Sequence, residues 1–218
     1  MTPLRRALPA EFIATFVLVF VGVGAIAMAP GDLLAIALAH GIAIATMATA
    51  TGAVSGGHIN PAVSIAFFLR RKLSGPATAG YVLAQCLGAL AAAAAIKAVY
   101  PATLLAAVGM GTPAPGAEIS VAQTLGMEIA LTFFLVYTIF GTAVDKGAPK
   151  VGGLYIGLAV AMGILAGGPI SGAAMNPARH LGPALLGGGT GLVWLYWLGP
   201  VVGGALAAWA YGLTHSKD

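Results

Sequence analysis

The run Ser55-Gly56-Gly57-His58-Ile59-Asn60-Pro61-Ala62 recurs later in the chain as Ser171-Gly172-Ala173-Ala174-Met175-Asn176-Pro177-Ala178. Both copies follow one physical logic. Small residues let the backbone lie extended and exposed, and an Asn then sits at a helix N-cap. A Pro follows at the first helical position, where its missing N–H costs nothing. Behind each Asn-Pro-Ala comes a helix-compatible run, 63–69 and 179–186. Each helix is about ten residues, hence about 15 Å long, half of a bilayer's hydrocarbon core. One such helix cannot span a membrane; two meeting end to end can.

That arrangement needs a membrane chain, and the composition is that of one. Of the 218 residues 59% are hydrophobic and 7% charged, where a soluble domain carries roughly 25% charge. At about 20 apolar residues per crossing the length allows six or seven helices, with no room for a soluble catalytic domain. The basic pI of about 9.4 comes from few charges and does not point to nucleic acid. The single Cys86 excludes an internal disulfide and reads as a small buried apolar residue. Small residues at four-residue spacing, Ala84/Gly88, Gly153/Gly157 and Gly199/Gly203, suit close helix packing in lipid.

Apolar runs predict crossings at 7–29, 33–54, 76–99, 121–144, 151–167 and 191–213, with one long loop at 100–120. The Arg5-Arg6 start imitates a cleaved signal peptide. Glu11 inside the apolar run, and the recurrence of the segment later, argue against one. Glu11-x-x-x-Thr15-Phe16 matches Glu128-x-x-x-Thr132-Phe133, and Gly41-x-Ala43-x-Ala45 matches Gly157-x-Ala159-x-Ala161. Gly88-Ala89-Leu90-Ala91-Ala92 matches Gly204-Ala205-Leu206-Ala207-Ala208. The expected architecture is a single all-α transmembrane domain over 1–218. It has six transmembrane helices plus two re-entrant half-helices, built as repeats at about 5–100 and 120–213. Three full crossings per repeat is an odd number, so the halves lie inverted in the bilayer. With both termini cytoplasmic, eight of the ten cations (Arg5, Arg6, Arg70, Arg71, Lys72, Lys146, Lys150 and Lys217) fall inside. The expectation is an integral protein of a cell (plasma or inner) membrane.

Arg179 is a cation inside an apolar stretch, by default a functional group facing water or a partner. Irregular backbone at membrane depth must line a cavity or be buried in protein. Gly56, Gly57, His58 and Ile59 in the first run, and Gly172, Ala174 and Met175 in the second, are therefore expected to present backbone to a watery path. The N-terminal ends of the two half-helices bring positive dipole ends together there, and Asn60 and Asn176 add amide donors. Such a constriction favours a neutral, hydrogen-bond-accepting solute and repels cations. The matched carboxylates Glu11 and Glu128 read as acceptors that anchor the two loops, with a proton relay as the other reading. His58 reads equally as a pore wall or as a brace.

The paired Asn-Pro-Ala boxes (Asn60, Pro61, Ala62; Asn176, Pro177, Ala178), Arg179 after the second, the duplicated Glu and the six-helix inverted repeat resemble the aquaporin, or major intrinsic protein, family over residues 5–213. The resemblance implies an hourglass fold, a homotetramer with one pore per subunit, and passive conduction without cofactor or metal. It also implies a four-residue selectivity filter, which falls on His40, Ile164, Ala173 and Arg179. Strict water channels usually carry Phe, His, a Cys or Thr, and Arg there. Glycerol facilitators carry Trp and Phe, with an Asp after the Arg, where this chain has His180 in place of the more usual Ser. Ala184 and Tyr196-Trp197 look like the water-channel side of the family. The set His, Ile, Ala, Arg is similar to plant vacuolar aquaporins and some ammonia- or peroxide-permeable relatives.

A passive water channel open to small neutral solutes is thus the expected function, with the lipid bilayer and identical subunits as partners. Conduction is expected to weaken in acid if His40 gains charge beside Arg179. A glycerol or small-polyol facilitator is the alternative within channels. A secondary transporter, which shares inverted repeats and broken helices, is the alternative outside them. No nucleophile–base pair or metal-ligand cluster suggests an enzyme.

Overall fold

A computed structural model describes residues 4–145, 147–148 and 151–215. Lys146, Lys150 and Lys217, three of the cations that orient the chain by sequence, lie outside the described residues.

The described chain is helical nearly throughout: α1 (Leu4–Met28), α2 (Leu33–Ser55), α3 (Pro61–Leu69), α4 (Gly75–Val99), α5 (Ala102–Ala107), α6 (Val121–Ile139), α7 (Gly152–Ser171), α8 (Pro177–Gly187) and α9 (Val193–His215). Local chemistry explains the starts. Asp32, Ser74 and Ser120 each accept a backbone N–H from the first turn of the following helix, and Ser120 with Gln123 completes a capping box. Asn60 and Asn176 cap α3 and α8, with Pro61 and Pro177 next. Gly56 (φ 91°) and Gly172 (φ 76°) end α2 and α7 in left-handed conformations that glycine adopts freely.

Six described segments are long and apolar enough to cross a bilayer, and α3 and α8, of 9 and 11 residues, are not. The structure extends one boundary and adds detail at two other places. Helix α7 continues through Pro169 to Ser171, because a Pro in a last turn removes only a bond near the helix end. The crossing at 121–144 is α-helical to Ile139 and closes in one π turn, Phe140–Val144. The long loop contains α5 and a 3₁₀ turn at Gly109–Gly111.

Packing repeats as the sequence does. Helix α1 lies on α2 and α4, α6 lies on α7 and α9, and α2 meets α7 across the two halves. Each half-helix crosses over: α3 packs on α9, and α8 packs on α4. The matched glycines Gly41 and Gly157 face one another, so that a Cβ on Gly41 would stand 2.7 Å from the Gly157 carbonyl oxygen. In the last helix of each half, the structural register differs by one residue from the sequence match. Gly88 presses on the Phe12 backbone and Gly203 on the Ile129 backbone, so Gly88 corresponds to Gly203, not Gly204. Runs of Gly and Ala carry too little shape to fix a register. The register follows instead from the residues beside Glu11 and Glu128.

Large apolar side chains such as Leu83, Trp209 and Leu213 point outward while Glu11, Gln85, Glu128 and His180 are fully buried, the inverse of a soluble domain. Close helix contact at Gly203 has a measurable consequence. Gly203→Leu is expected to lower the thermal midpoint by several degrees, since overpacking costs about 1–3 kcal/mol. Gly126→Ala, at a helical position with nothing within 4 Å of a new Cβ, is expected to leave it unchanged or raise it by about 1 kcal/mol of stability. Circular dichroism melts in detergent measure both.

Candidate functional site

The two irregular runs are held by the matched carboxylates. Glu11 Oε1 accepts from Ser55 Oγ (2.6 Å) and the His58 N–H (2.9 Å), and Oε2 accepts from the Ile59 N–H (2.6 Å) and Gln85 Nε2 (2.7 Å). Glu128 repeats this with Ser171 Oγ (2.7 Å), the Ala174 N–H (2.9 Å) and the Met175 N–H (2.7 Å). Tyr81 and Tyr196 donate to the carbonyls of Ser55 and Ser171, at 2.7 and 2.6 Å, where each run leaves its helix. Both carboxylates are fully buried and face the loops.

The loops meet through their asparagines. Asn60 Nδ2 donates to the Met175 carbonyl (2.7 Å), and Asn176 Nδ2 donates to the Ile59 carbonyl (3.0 Å). Each Asn Oδ1 accepts from the first turn of its own helix. Each amide therefore retains one N–H, at the point where two helix N-termini face each other. Ile59, Met175 and Ala173 hold positive φ of 59°, 50° and 44°, unusual for residues with side chains and a genuine strain for Ile59. Gly57 takes the same conformation as Ala173 at no such cost (φ 62°). Among the described residues, the carbonyls of Gly57, His58, Ala173 and Ala174 accept no hydrogen bond, whereas those of Ile59 and Met175 are taken by the asparagines.

Three cavities run past these groups in a continuous line. The first encloses about 20 Å³ among His40, Ile164, Ala173, Arg179 and both asparagines. The second, about 10 Å³, adjoins it between Asn60, His58, Ile59 and Val63. Each has about the room of one water. The third opens to about 490 Å³, with Gly56, Gly57, His58, Phe67 and Asp145 in its walls. There Asp145 accepts from the Gly147 N–H and the Tyr211 hydroxyl, which hold its carboxyl below the usual carboxylate range.

Arg179 is nearly buried. Its Nη1 donates to the Gly111 carbonyl (2.8 Å), and its Nη2 lies 3.3 Å from His40 Nε2. The other ring nitrogen of His40 lies 2.8 Å from the Ile36 carbonyl, so Nδ1 carries the hydrogen and Nε2 accepts from Arg179. A proton on Nε2 would replace that bond by repulsion, the form that the acid sensitivity expected from sequence would take. Among the described residues, three of the five guanidinium N–H groups make no other hydrogen bond, and Arg179 lines the first cavity.

The sequence pattern described as Major intrinsic protein matches residues 2–211. The chain belongs to that family. It is 40% identical over 213 residues to glycerol uptake facilitator protein-like 6 of Lactiplantibacillus plantarum, covering 96% of this chain and 98% of that one. Aquaporin TIP4-4 of Zea mays is 42% identical, over 94% of this chain and 85% of its own length, and aquaporin-4 of Mus musculus 39% identical, over 98% and 68%. The X-ray structure of the aquaglyceroporin from Plasmodium falciparum superposes with a TM-score of 0.86 at 26% identity, covering 97% of this chain and 96% of that one. The fold is therefore the aquaporin fold, and the family is one of membrane channels rather than enzymes.

Within this major intrinsic protein, the structure brings His40, Ile164, Ala173 and Arg179 together around one cavity, with Ala174, Met175, Asn60 and Asn176 beside them. His58 has both a cavity-facing and a packed side. It stands in the walls of two cavities, while its ring packs against Phe67 at 4.3 Å and Tyr81 at 5.2 Å. Gly172 lines none of these cavities and turns toward Pro113. Pro61, Ala62, Pro177 and Ala178 build the helix starts behind the path. The sequence did not single out Gln85, Gly111 or the apolar wall of Leu18, Ile44, Leu135 and Val160. Tyr81/Tyr196 was available as a further repeat.

Proposed function

We propose that this chain is a passive water channel whose path runs along the line of cavities, admitting ammonia and hydrogen peroxide besides water and conducting glycerol poorly. The observation that carries the reading is the cavity of about 20 Å³ at His40, Ile164, Ala173 and Arg179. A solute the size of one water fits there, with guanidinium donors and free loop carbonyls on one side and an apolar wall on the other. Ammonia is of similar size. Glycerol is bulkier and must satisfy several hydroxyls at once against Ile164 and Leu135. The guanidinium and the two facing helix N-termini disfavour cations, including hydronium, at the two narrowest points.

In this reading Gly56, Gly57, His58 and Ile59, with Ala173, Ala174 and Met175, form the polar stripe of the path, and Glu11 and Glu128 act as struts. The inverted halves make a single domain, which assembles as a homotetramer in a cell membrane with both termini cytoplasmic. Exposed Arg5, Arg6, Arg70, Arg71 and Lys72 support that orientation.

The facilitator named among its relatives makes glycerol the second reading, favoured by the room beside the small Ala173. Stopped-flow light scattering on proteoliposomes, with water, glycerol, ammonia and peroxide in turn, separates the two. The parent is expected to pass water, ammonia and peroxide. The double variant Ile164→His with His40→Phe is expected to keep water and lose most ammonia flux. Equal exclusion of ammonia and peroxide by parent and variant defeats the wide filter, and fast glycerol flux in the parent moves the assignment to a facilitator.

A further inference from the structure

His180 follows Arg179, and the path does not use it. Its side chain is fully buried, and both ring nitrogens lack a hydrogen-bond partner. An imidazole always carries at least one N–H, and a buried donor left unpaired is destabilising. The ring stacks on Tyr196, with centroids 4.0 Å apart and planes 14° from parallel.

The first half shows what this position does when it is a Ser. Ser64 there accepts from Gln85 Nε2 (3.0 Å), donates to the Asn60 carbonyl (3.2 Å) and touches His58 Nδ1 (3.1 Å). The second half lacks those partners. Pro200 stands four residues after Tyr196, where Gln85 stands four after Tyr81, and Ala174 replaces His58. In the first half a ring braces the loop tyrosine from the wall of the path. In the second half the ring has moved behind the wall.

Behind the wall is the segment 111–116. Its Gly111 carbonyl holds the Arg179 guanidinium, its Gly116 N–H donates to the Ile170 carbonyl (3.0 Å), and Pro113 lies against Gly172, where a Cβ would come within 2.7 Å of the Pro113 Cα. The Pro113 backbone carbonyl stands beside the His180 ring without hydrogen-bond geometry. Thr112 Oγ1, next in sequence, is also buried and unpartnered. Among the described residues, five buried side-chain polar atoms lack partners, and three of them are these.

We infer that His180 is a positioning residue for Arg179: its ring N–H latches the Pro113 carbonyl while its face rests on Tyr196, which holds segment 111–116 and so keeps the Gly111 carbonyl on the guanidinium. A small rotation of the ring brings one of its nitrogens onto that carbonyl. The ligand of the latch is this chain's own backbone, and its effect is on which solutes pass. The effect on solutes rests on the filter reading above; the latch itself does not.

The test uses the full chain with His180→Phe, which keeps the stack without a donor, and His180→Asn, which keeps a donor. Hydrogen–deuterium exchange by mass spectrometry reads segment 108–116, and stopped flow reads the glycerol-to-water permeability ratio. In His180→Phe, exchange in that segment is expected to rise about tenfold, as for one lost buried hydrogen bond, with the glycerol-to-water ratio up severalfold and the melting temperature held. In His180→Asn, exchange stays within about threefold of the parent. Unchanged exchange in His180→Phe overturns the latch. Faster exchange with an unchanged ratio overturns its link to Arg179, and a uniform rise over all helices reduces His180 to packing. A parent that conducts no water ends the channel reading, while the exchange result still decides the latch.

Discussion

Arg179→Val is expected to open the constriction to glycerol by at least about tenfold and to let monovalent cations leak. Two effects act together. The guanidinium bridges the Gly111 carbonyl and His40 Nε2, so its removal widens a cavity of about 20 Å³ and leaves two acceptors facing it. It also removes a fixed positive charge. At an effective dielectric of about 20, a unit charge about 5 Å away repels a passing cation by about 3 kcal/mol, on the order of a hundredfold in rate. Glycerol uptake by light scattering and cation flux with an internal pH dye measure both parts. A folded variant that excludes glycerol and cations as the parent does removes Arg179 from the filter.

The second large effect belongs to Glu128. Replacement by Ala strands the Ser171 hydroxyl and the N–H groups of Ala174 and Met175. Each buried donor without a partner costs about 1–3 kcal/mol, against a whole-domain stability of about 5–15 kcal/mol. Glu128→Ala is therefore expected to melt far below the parent and to conduct little. Glu128→Gln keeps one acceptor oxygen and is expected to fall between the two. Melting temperature and water flux are read on the same preparations. If Glu128→Gln keeps its stability but changes how flux depends on pH, the carboxylate works as a proton relay instead of a strut.

The sequence already contained the duplicated loops, the six crossings and the carboxylates that hold the loops, because each is written twice and repetition supplies its own control. The starts of the two half-helices were readable because an Asn cap with a Pro behind it is local chemistry. Contacts written once escaped. The Gly111 carbonyl that holds Arg179 comes from the long loop, which has no counterpart in the other half, and a backbone acceptor leaves no residue-type signal. Gln85 supports Glu11 alone, since Pro200 occupies the matching position. The apolar wall of Leu18, Ile44, Leu135 and Val160 looks like any lipid-facing or core residue until the helices are assembled. Register in the Ala-rich helices slipped by one residue for want of side-chain shape.

The reciprocal asparagine bonds bear on how such a chain can be made at all. Asn60 closes on a carbonyl supplied by the second half, and Asn176 on one supplied by the first. Half-helix α3 packs on α9, and α8 on α4. Neither loop is thus finished while its own half stands alone in the bilayer, however complete its three crossings are. During synthesis the first half must wait with an open Asn60 amide, and with its Ile59 carbonyl held by Thr15 alone (3.2 Å), until the second half arrives. Closure is then a single late event that completes both ends of the path together, so a partly built subunit offers no half-open pore.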